Sequence, residues 1–238
     1  MSLYDGHIAY INTIMVQLVK SSADDMHVTE AARVSTLGST TVSPPSDEGL
    51  IGYLMRNRHG SPFEHTSMTF LVTAPIFVWR EHMRHRTGFS YNEESGRYRR
   101  LDPVFYLPSR ERKLVQVGKP GAYTFKPGTD EQHEDVAFSF EEVSLLAYSH
   151  YLEMIENGIA REVARMVLPL NIYSSAYVTM NARSMMNFLS LRTQDDAAMF
   201  PSYPQREIEM LAEQYERHFA ELMPLTHAAF VANGRVSP

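Results

Sequence analysis

The chain of 238 residues contains no cysteine. That absence excludes disulfides, thiolate metal sites and thiolate nucleophiles together. Lysine is scarce: of 22 cationic residues only Lys20, Lys113, Lys119 and Lys126 are lysine, and the rest are arginine. No apolar run approaches the ~20 residues of a membrane-spanning helix. The opening MSLYDGHIAY lacks a basic stretch followed by an apolar one, so neither a membrane segment nor a secretory leader is expected, and the expected location is cytoplasmic. The net charge of −6 argues against a general nucleic-acid binder, whose footprint is basic.

What is present suits one globular domain over residues 1–238, with 44% hydrophobic residues to fill a core. Residues 8–19 are β-branched and apolar and read as a strand. Residues 24–34 read as a short helix and 36–46 as a loop. A helix is expected to start at Ser46, bury Leu50, Ile51 and Leu54, and end at Gly60. Alternation over 66–73 predicts a strand with Met68, Phe70 and Val72 on one face, broken by Pro75, with helix over 76–86. The prolines and glycines of 101–135 suggest a long surface excursion. Helical spacing follows over 136–157, 160–168 and 174–192. A last amphipathic helix over 205–223 turns Ile208, Leu211, Tyr215, Phe219 and Leu222 inward, leaving 224–238 as a tail. Strands first and helices later indicate an α+β fold, a mixed sheet with a helical lobe.

The arginines cluster. Segment 80–100, REHMRHRTGFSYNEESGRYRR, holds six arginines and three glutamates and no lysine. Gly88 and Gly96 punctuate it, and glycine lets backbone N–H groups approach a ligand. Such a segment reads either as a receptor for a phosphate monoester or as an ion-pair network at a surface or subunit interface. A second polar set, Arg161, Arg165, Asn181, Arg183, Asn187 and Arg192, lies in apolar C-terminal sequence. On one continuous helix Asn181 and Arg192 share a line, with Arg183 and Asn187 on another face. That pattern fits a helix between two sites or subunits, or ordinary capping and core hydrogen bonds. His59, His65, His82, His85 and Glu81 match no strong metal signature, and no metal is expected.

Arg84-His85-Arg86, eight residues and then Ser95 resemble the signature of the flavin-dependent thymidylate synthases, with further agreement at Asn92, Glu93, Gly96, Arg97 and Tyr98. AARVS (31–35), HGSPFEH (59–65), REVARMVLPLN (161–171) and NARSMMNFLSLR (181–192) resemble the same family in the same order. The resemblance spans roughly residues 8–220. It implies that family's α+β fold and a homotetramer with FAD sites between subunits. It also implies a methyltransferase converting dUMP to dTMP, with 5,10-methylenetetrahydrofolate as carbon donor and FAD, reduced by NADPH, as hydride source. His59 and Ser61 then lie by the flavin, and Arg84, His85, Arg86, Glu93, Asn181, Arg183 and Asn187 contact FAD. The implied dUMP set is Glu81, His82, Met83, Arg84, Glu93, Glu94, Ser95, Gly96, Arg97, Arg165 and Arg192. Arg192 and His59 are the implied catalytic groups, Arg192 favouring ionisation at N3 of the uracil. The missing cysteine agrees, because the family's hydride chemistry needs no protein thiolate.

Four departures from the family stand out. Eight residues rather than seven separate Arg86 from Ser95. Glu81 stands where glutamine is frequent, an acid that needs a partner such as Arg80 or Arg84. Glu94 stands where an apolar residue is common, and AAMFPSYP (197–204) has the look of an insertion. Two other functions compete: a non-catalytic flavin or nucleotide sensor, and a metal-dependent nucleotide hydrolase built on the histidines and Glu81.

Overall fold

The computed structural model describes residues 7–38, 47–119 and 122–238. Two short strands, β1 (Ala9–Ile11) and β2 (Met15–Ser21), stand where one was expected over 8–19. The break has a cause: the Thr13 carbonyl accepts from the Tyr173 hydroxyl at 2.8 Å rather than from a neighbouring strand. Helix α1 (Asp25–Leu37) is capped by Asp24, which accepts from the Met26 N–H. Helix α2 (Glu48–Arg56) is capped by Asp47, which accepts from the Leu50 N–H. Ser46, expected to open this helix, and most of the expected 36–46 loop lie outside the described residues. Ile51 and Leu54 are buried as expected, with Met55 fully inward in place of half-buried Leu50. The helix stops at Asn57, and Arg58 takes a left-handed φ of 60°. Gly60 is therefore not its terminator; with φ −77° it opens a 3-10 turn over Ser61–His65.

Strand β3 (Met68–Pro75) buries Met68, Phe70 and Val72 and runs through Pro75. Helix α3 (Ile76–His82) is shorter than expected, because the chain then turns sharply toward β4 (Phe89–Glu93). The segment 101–135 is not wholly superficial. Strand β5 (Val104–Tyr106) is buried and pairs in parallel with β1. The exposed remainder carries an antiparallel hairpin of β6 (Val115–Lys119) and β7 (Ala122–Lys126). A capping box at Thr129 and Gln132 starts α4 (Asp130–Glu156). Then come α5 (Arg161–Ala164), a 3-10 turn over Arg165–Val167 and β8 (Tyr173–Met180).

The helix expected over 174–192 is a strand and a helix. Tyr173, Ser174, Ala176, Val178 and Met180 are buried in a strand that lies between β3 and β4, in a sheet ordered β2–β3–β8–β4. Hydroxyl pairs Thr69–Thr179 (2.9 Å) and Thr73–Ser175 (2.8 Å) stitch it to β3. Helix α6 (Ala182–Arg192) begins only after Asn181, whose side chain accepts from the Ser184 N–H at 2.8 Å. Strands and helices thus interleave rather than segregate, within an α+β fold. Helix α7 (Arg206–Leu222) buries Ile208, Leu211, Tyr215 and Phe219, while Leu222 is half-buried and Met223 completes the stripe. The supposed tail is structured: α8 (Pro224–Ala232) follows, and Phe230 is fully buried. None of the described helices is long and apolar enough to cross a membrane.

The chain packs as two compact units, each assembled from three stretches. One comprises the residues up to Ile14, Thr73–Arg80 and Glu93–Ser175. Its core gathers Phe105, Tyr148, Tyr151, Ala164 and Ile172, and the Trp79 indole donates to the carbonyls of Ala74 and Ser174. The other comprises Met15–Val72, Glu81–Asn92 and Ala176–Pro238. Val28, Ile51, Phe63, Phe70, Val178, Met185, Phe188, Leu211 and Phe219 fill it.

Candidate active site

In the second unit the loop after α3 places charge in water and keeps imidazoles dry. Arg84 and Arg86 are exposed, Met83 is half-buried, and His82 and His85 are buried. Among the described residues neither Arg84 nor Arg86 makes an ion pair. The loop owes its shape to Tyr91, whose hydroxyl donates to the carbonyls of His85 (2.7 Å) and His82 (3.1 Å). A hydroxyl committed as donor must accept from His82 Nδ1 at 3.1 Å, so Nδ1 carries the proton and Nε2 accepts from the Tyr215 hydroxyl at 3.0 Å. Burial, then the neighbouring His85, pulls His82 down to about 3 and keeps it neutral. Its side chain is fully buried, walled by Phe188, Phe89 and Tyr215.

Arg192 ends α6. Its Nε donates to His85 Nε2 at 3.1 Å, one terminal nitrogen to Glu81 Oε2 at 2.7 Å, and the other, at a long 3.5 Å, to the Glu81 carbonyl. A guanidinium has only donors, so His85 must accept at Nε2 and hold its proton on Nδ1. Burial and then Arg192 lower His85 to about 4. The partner of Glu81 is thus Arg192 rather than Arg80 or Arg84, because both side chains converge where α3 and α6 end.

The beginning of α6 meets the other polar positions. Ser184 Oγ donates to the Thr87 carbonyl at 2.9 Å, and a Cβ at Gly88, whose φ is +71°, would collide with that hydroxyl. Asn181 is the helix cap, so the two-faced helix that its position suggested does not extend to it. Arg183 and Asn187, one turn apart, are exposed. Arg183 pairs with Glu64, donates to the Pro238 carbonyl at 2.7 Å and lies flat against Gly60, where a Cβ would fall 2.5 Å from its Cζ. His59 and Ser61, beside that glycine, are exposed, and His59 meets Tyr53 edge-on at 5.7 Å. These contacts join the 59–61, 84–88 and 181–187 segments.

In the first unit the remaining predicted residues form a turn. Ser95 Oγ accepts from the Arg97 N–H at 3.3 Å, and its carbonyl accepts from the N–H groups of Tyr98 and Arg99. Gly96 is buried, and a Cβ there would press on Leu101 and the Arg165 stem. Arg97 is half-exposed and pairs with Glu162 at 3.0 Å. Glu93 accepts from Ser174 Oγ at 2.6 Å. Glu94 accepts from the Ser175 N–H (2.9 Å) and from Arg99 (3.0 Å). Burial raises its carboxyl, with those two donors acting against the rise. Tyr215, Glu64, Ser184 and Glu162 were missed in the sequence, since each meets a partner far along the chain, and Tyr91 was missed although its partners His82 and His85 lie close by. No group of three or more histidine, aspartate or glutamate side chains among the described residues is placed to hold a metal. Both His82 nitrogens are turned to Tyr91 and Tyr215, and His85 Nε2 accepts from Arg192.

Residues 17–225 match the family described as thymidylate synthase complementing protein. A flavin-dependent thymidylate synthase of Streptomyces coelicolor is 60% identical, with 98% of this chain and 97% of that protein covered. That of Tropheryma whipplei is 58% identical over 96% and 97%. The chain belongs to the flavin-dependent thymidylate synthases. Members of this family are methyltransferases, and so is this enzyme. Among solved structures, a UMP/dUMP methylase, PolB from Streptomyces cacaoi, superposes with a TM-score of 0.90 at 52% identity, over 98% of this chain and all of that one, in a crystal with 5-Br UMP. Its 5-Br dUMP crystal gives 0.91 at 53%.

The residues present fit the flavin that a flavin-dependent thymidylate synthase uses. A flavin nucleotide needs accessible cations for phosphate and a polar edge for its ring system. Among the described residues Arg84 and Arg86 supply exposed cations that make no ion pair, and Asn187 an exposed amide.

Proposed function

We propose that the enzyme methylates dUMP to dTMP, taking carbon from 5,10-methylenetetrahydrofolate, with FAD as its flavin and NADPH as reductant, as a cytoplasmic homotetramer. The flavin would supply the hydride that completes the methyl group. The protein binds and polarises. FAD is held by His59, Ser61, Arg84, Arg86, Arg183 and Asn187, with His85, Glu93 and Asn181 fixing the surrounding backbone. Ser95, the Gly96 N–H, Arg97 and Arg165 bind the nucleotide phosphate, since guanidinium forks and backbone N–H groups match its oxygens.

The observation that carries the reading is Arg192. A guanidinium offers five N–H groups, and three hydrogen bonds to protein acceptors leave two unused among the described residues. A fixed, partly exposed cation with spare donors stabilises a uracil ring as negative charge develops on it. No protein thiolate can add to the ring, because the chain has none. The name of the Streptomyces cacaoi relative supports UMP as a second substrate.

The test is an absorption spectrum of purified protein with added FAD, followed by titration with dUMP or UMP and then turnover with NADPH and methylenetetrahydrofolate. Flavin bands that shift with dUMP, followed by dTMP formation, bear the proposal out. Turnover of UMP at a similar kcat/KM would widen the substrate to both nucleotides. A protein that takes up no FAD would overturn it, and one that binds both ligands without oxidising reduced flavin would be a sensor instead.

A further inference from the structure

Glu81 is the acid that the family resemblance places in the dUMP set, where an acid needs a cationic partner. Its side chain is 27% exposed and sits at the end of α3, and the Arg192 side chain, at 18%, ends α6. Two elements distant in sequence therefore converge on one guanidinium. The 2.7 Å bond to Glu81 is charge-assisted, the strong kind. The bond to His85 is the complementary hold, from a ring packed on Phe188 at 4.6 Å and Phe89 at 6.0 Å and thus unable to swing away. A long, flexible arginine side chain carries about 2 kcal/mol of rotamer entropy. Left alone at a half-exposed helix end it would sample several rotamers, only some of which present the same two donors to a ligand.

We propose that Glu81 is a positioning residue for Arg192: its carboxylate and carbonyl hold the two terminal nitrogens, so the side chain keeps one rotamer and its remaining N–H groups keep one placement. Glu81 then acts through the arginine and not as a nucleotide ligand of its own. This rests on the functional reading above, in which Arg192 meets the uracil.

The decisive set is Glu81→Ala, Glu81→Gln, Arg192→Ala and the Glu81→Ala/Arg192→Ala double variant, each loaded with FAD and assayed for dTMP formation. Misplacing a catalytic group by about 1 Å costs about 10²-fold. Glu81→Ala is therefore expected to lower kcat about 30- to 100-fold while KM for dUMP changes less than about threefold and the flavin spectrum persists. Glu81→Gln, whose amide oxygen still accepts from Arg192, should restore kcat to within about fivefold of the unmodified enzyme. In the Arg192→Ala background the alanine at 81 should cost nothing further, because the group it positions is gone. Should Glu81→Ala be insoluble, Glu81→Asp, which keeps the charge but withdraws it by one methylene, should show the same loss in kcat.

A rise in KM alone would make Glu81 a nucleotide contact and overturn the proposal. So would additive losses in the double variant, or a Glu81→Gln enzyme as poor as the alanine one. If the unmodified enzyme forms no dTMP, or Arg192→Ala keeps full activity, the functional reading itself fails, an outcome separable from all of these.

Discussion

Arg192 and Arg235 lie in the same compact unit, and each meets a glutamate carried on a helix, but they are finished differently. Arg235 grips both oxygens of Glu216 at 2.7 Å, donates again to Thr193 at 2.8 Å, and lies over the Phe230 ring at 5.2 Å with its side chain only 8% exposed. Arg192 touches one oxygen of Glu81, one histidine nitrogen and one distant carbonyl, and keeps part of its surface in solvent. The first guanidinium is nearly saturated by protein and works as a rivet for the segment after α8. The second is fixed but unfinished. An arginine held in place with donors to spare is what the proposed function asks of Arg192, and the contrast lies in the unused donors rather than in the count of pairs.

Three experiments bear on this contrast. The largest effect should come from Arg192→Ala: dTMP formation is expected to fall about 10³-fold while FAD stays bound and the melting temperature barely moves. Full activity would erase the distinction at once. Arg235→Ala should do the opposite. It removes the two-pronged partner of Glu216 and leaves only His227, at 2.9 Å, which costs about 2 kcal/mol, or roughly 4–8 °C in Tm, while kcat per folded molecule holds. A stable but inactive Arg235 variant would break the comparison from the other side.

The smallest effect is in pH. His82 and His85 are held to about 3 and about 4, below their usual 6.5, so the unfolded chain binds protons near 6.5 that the folded chain refuses. Stability is therefore lost as pH falls from 6.5 toward 4, at about 1.4 kcal/mol per pH unit for each proton. Burial alone would raise Glu216, but His227 and Arg235 bring it down from 4.5 to about 2, so its contribution is present above 4.5 and lost as pH falls toward 2. Melting curves across pH should show that His85→Gln flattens the upper window only and Glu216→Gln the lower only. Both variants altering both windows would mean that the two regions are not independent.

The candidate site was easier to propose from the sequence than the fold was to trace. The Arg84-His85-Arg86 spacing to Ser95, the 59–65 segment and the 181–192 segment were all legible because chemistry-bearing residues lie close together along the chain. The strand β8 was not. YSSAYVTM alternates imperfectly and runs into an undoubted helix, and only its place between β3 and β4, invisible locally, decides against continuing that helix backward. The cap at Asn181 was the clue, since an asparagine three residues before a serine opens helices more often than it sits inside them. The segment 224–238 looked like a tail because one short helix with a single buried aromatic carries little periodic signal. Glu81 invited a nearby arginine as partner and took Arg192 instead, as the end of α3 points away from its own neighbours in sequence.

The chain crosses between its two units five times, and the second is completed only by the stretch from Ala176 to Pro238. That stretch brings α6, whose Arg192 holds His85, and α7, whose Tyr215 holds His82. During synthesis the arginine loop therefore leaves the ribosome nearly a hundred residues before the elements that shape it. Until then the loop lacks the two contacts that fix its histidines, and its shape is complete only after the last quarter of the polypeptide has emerged.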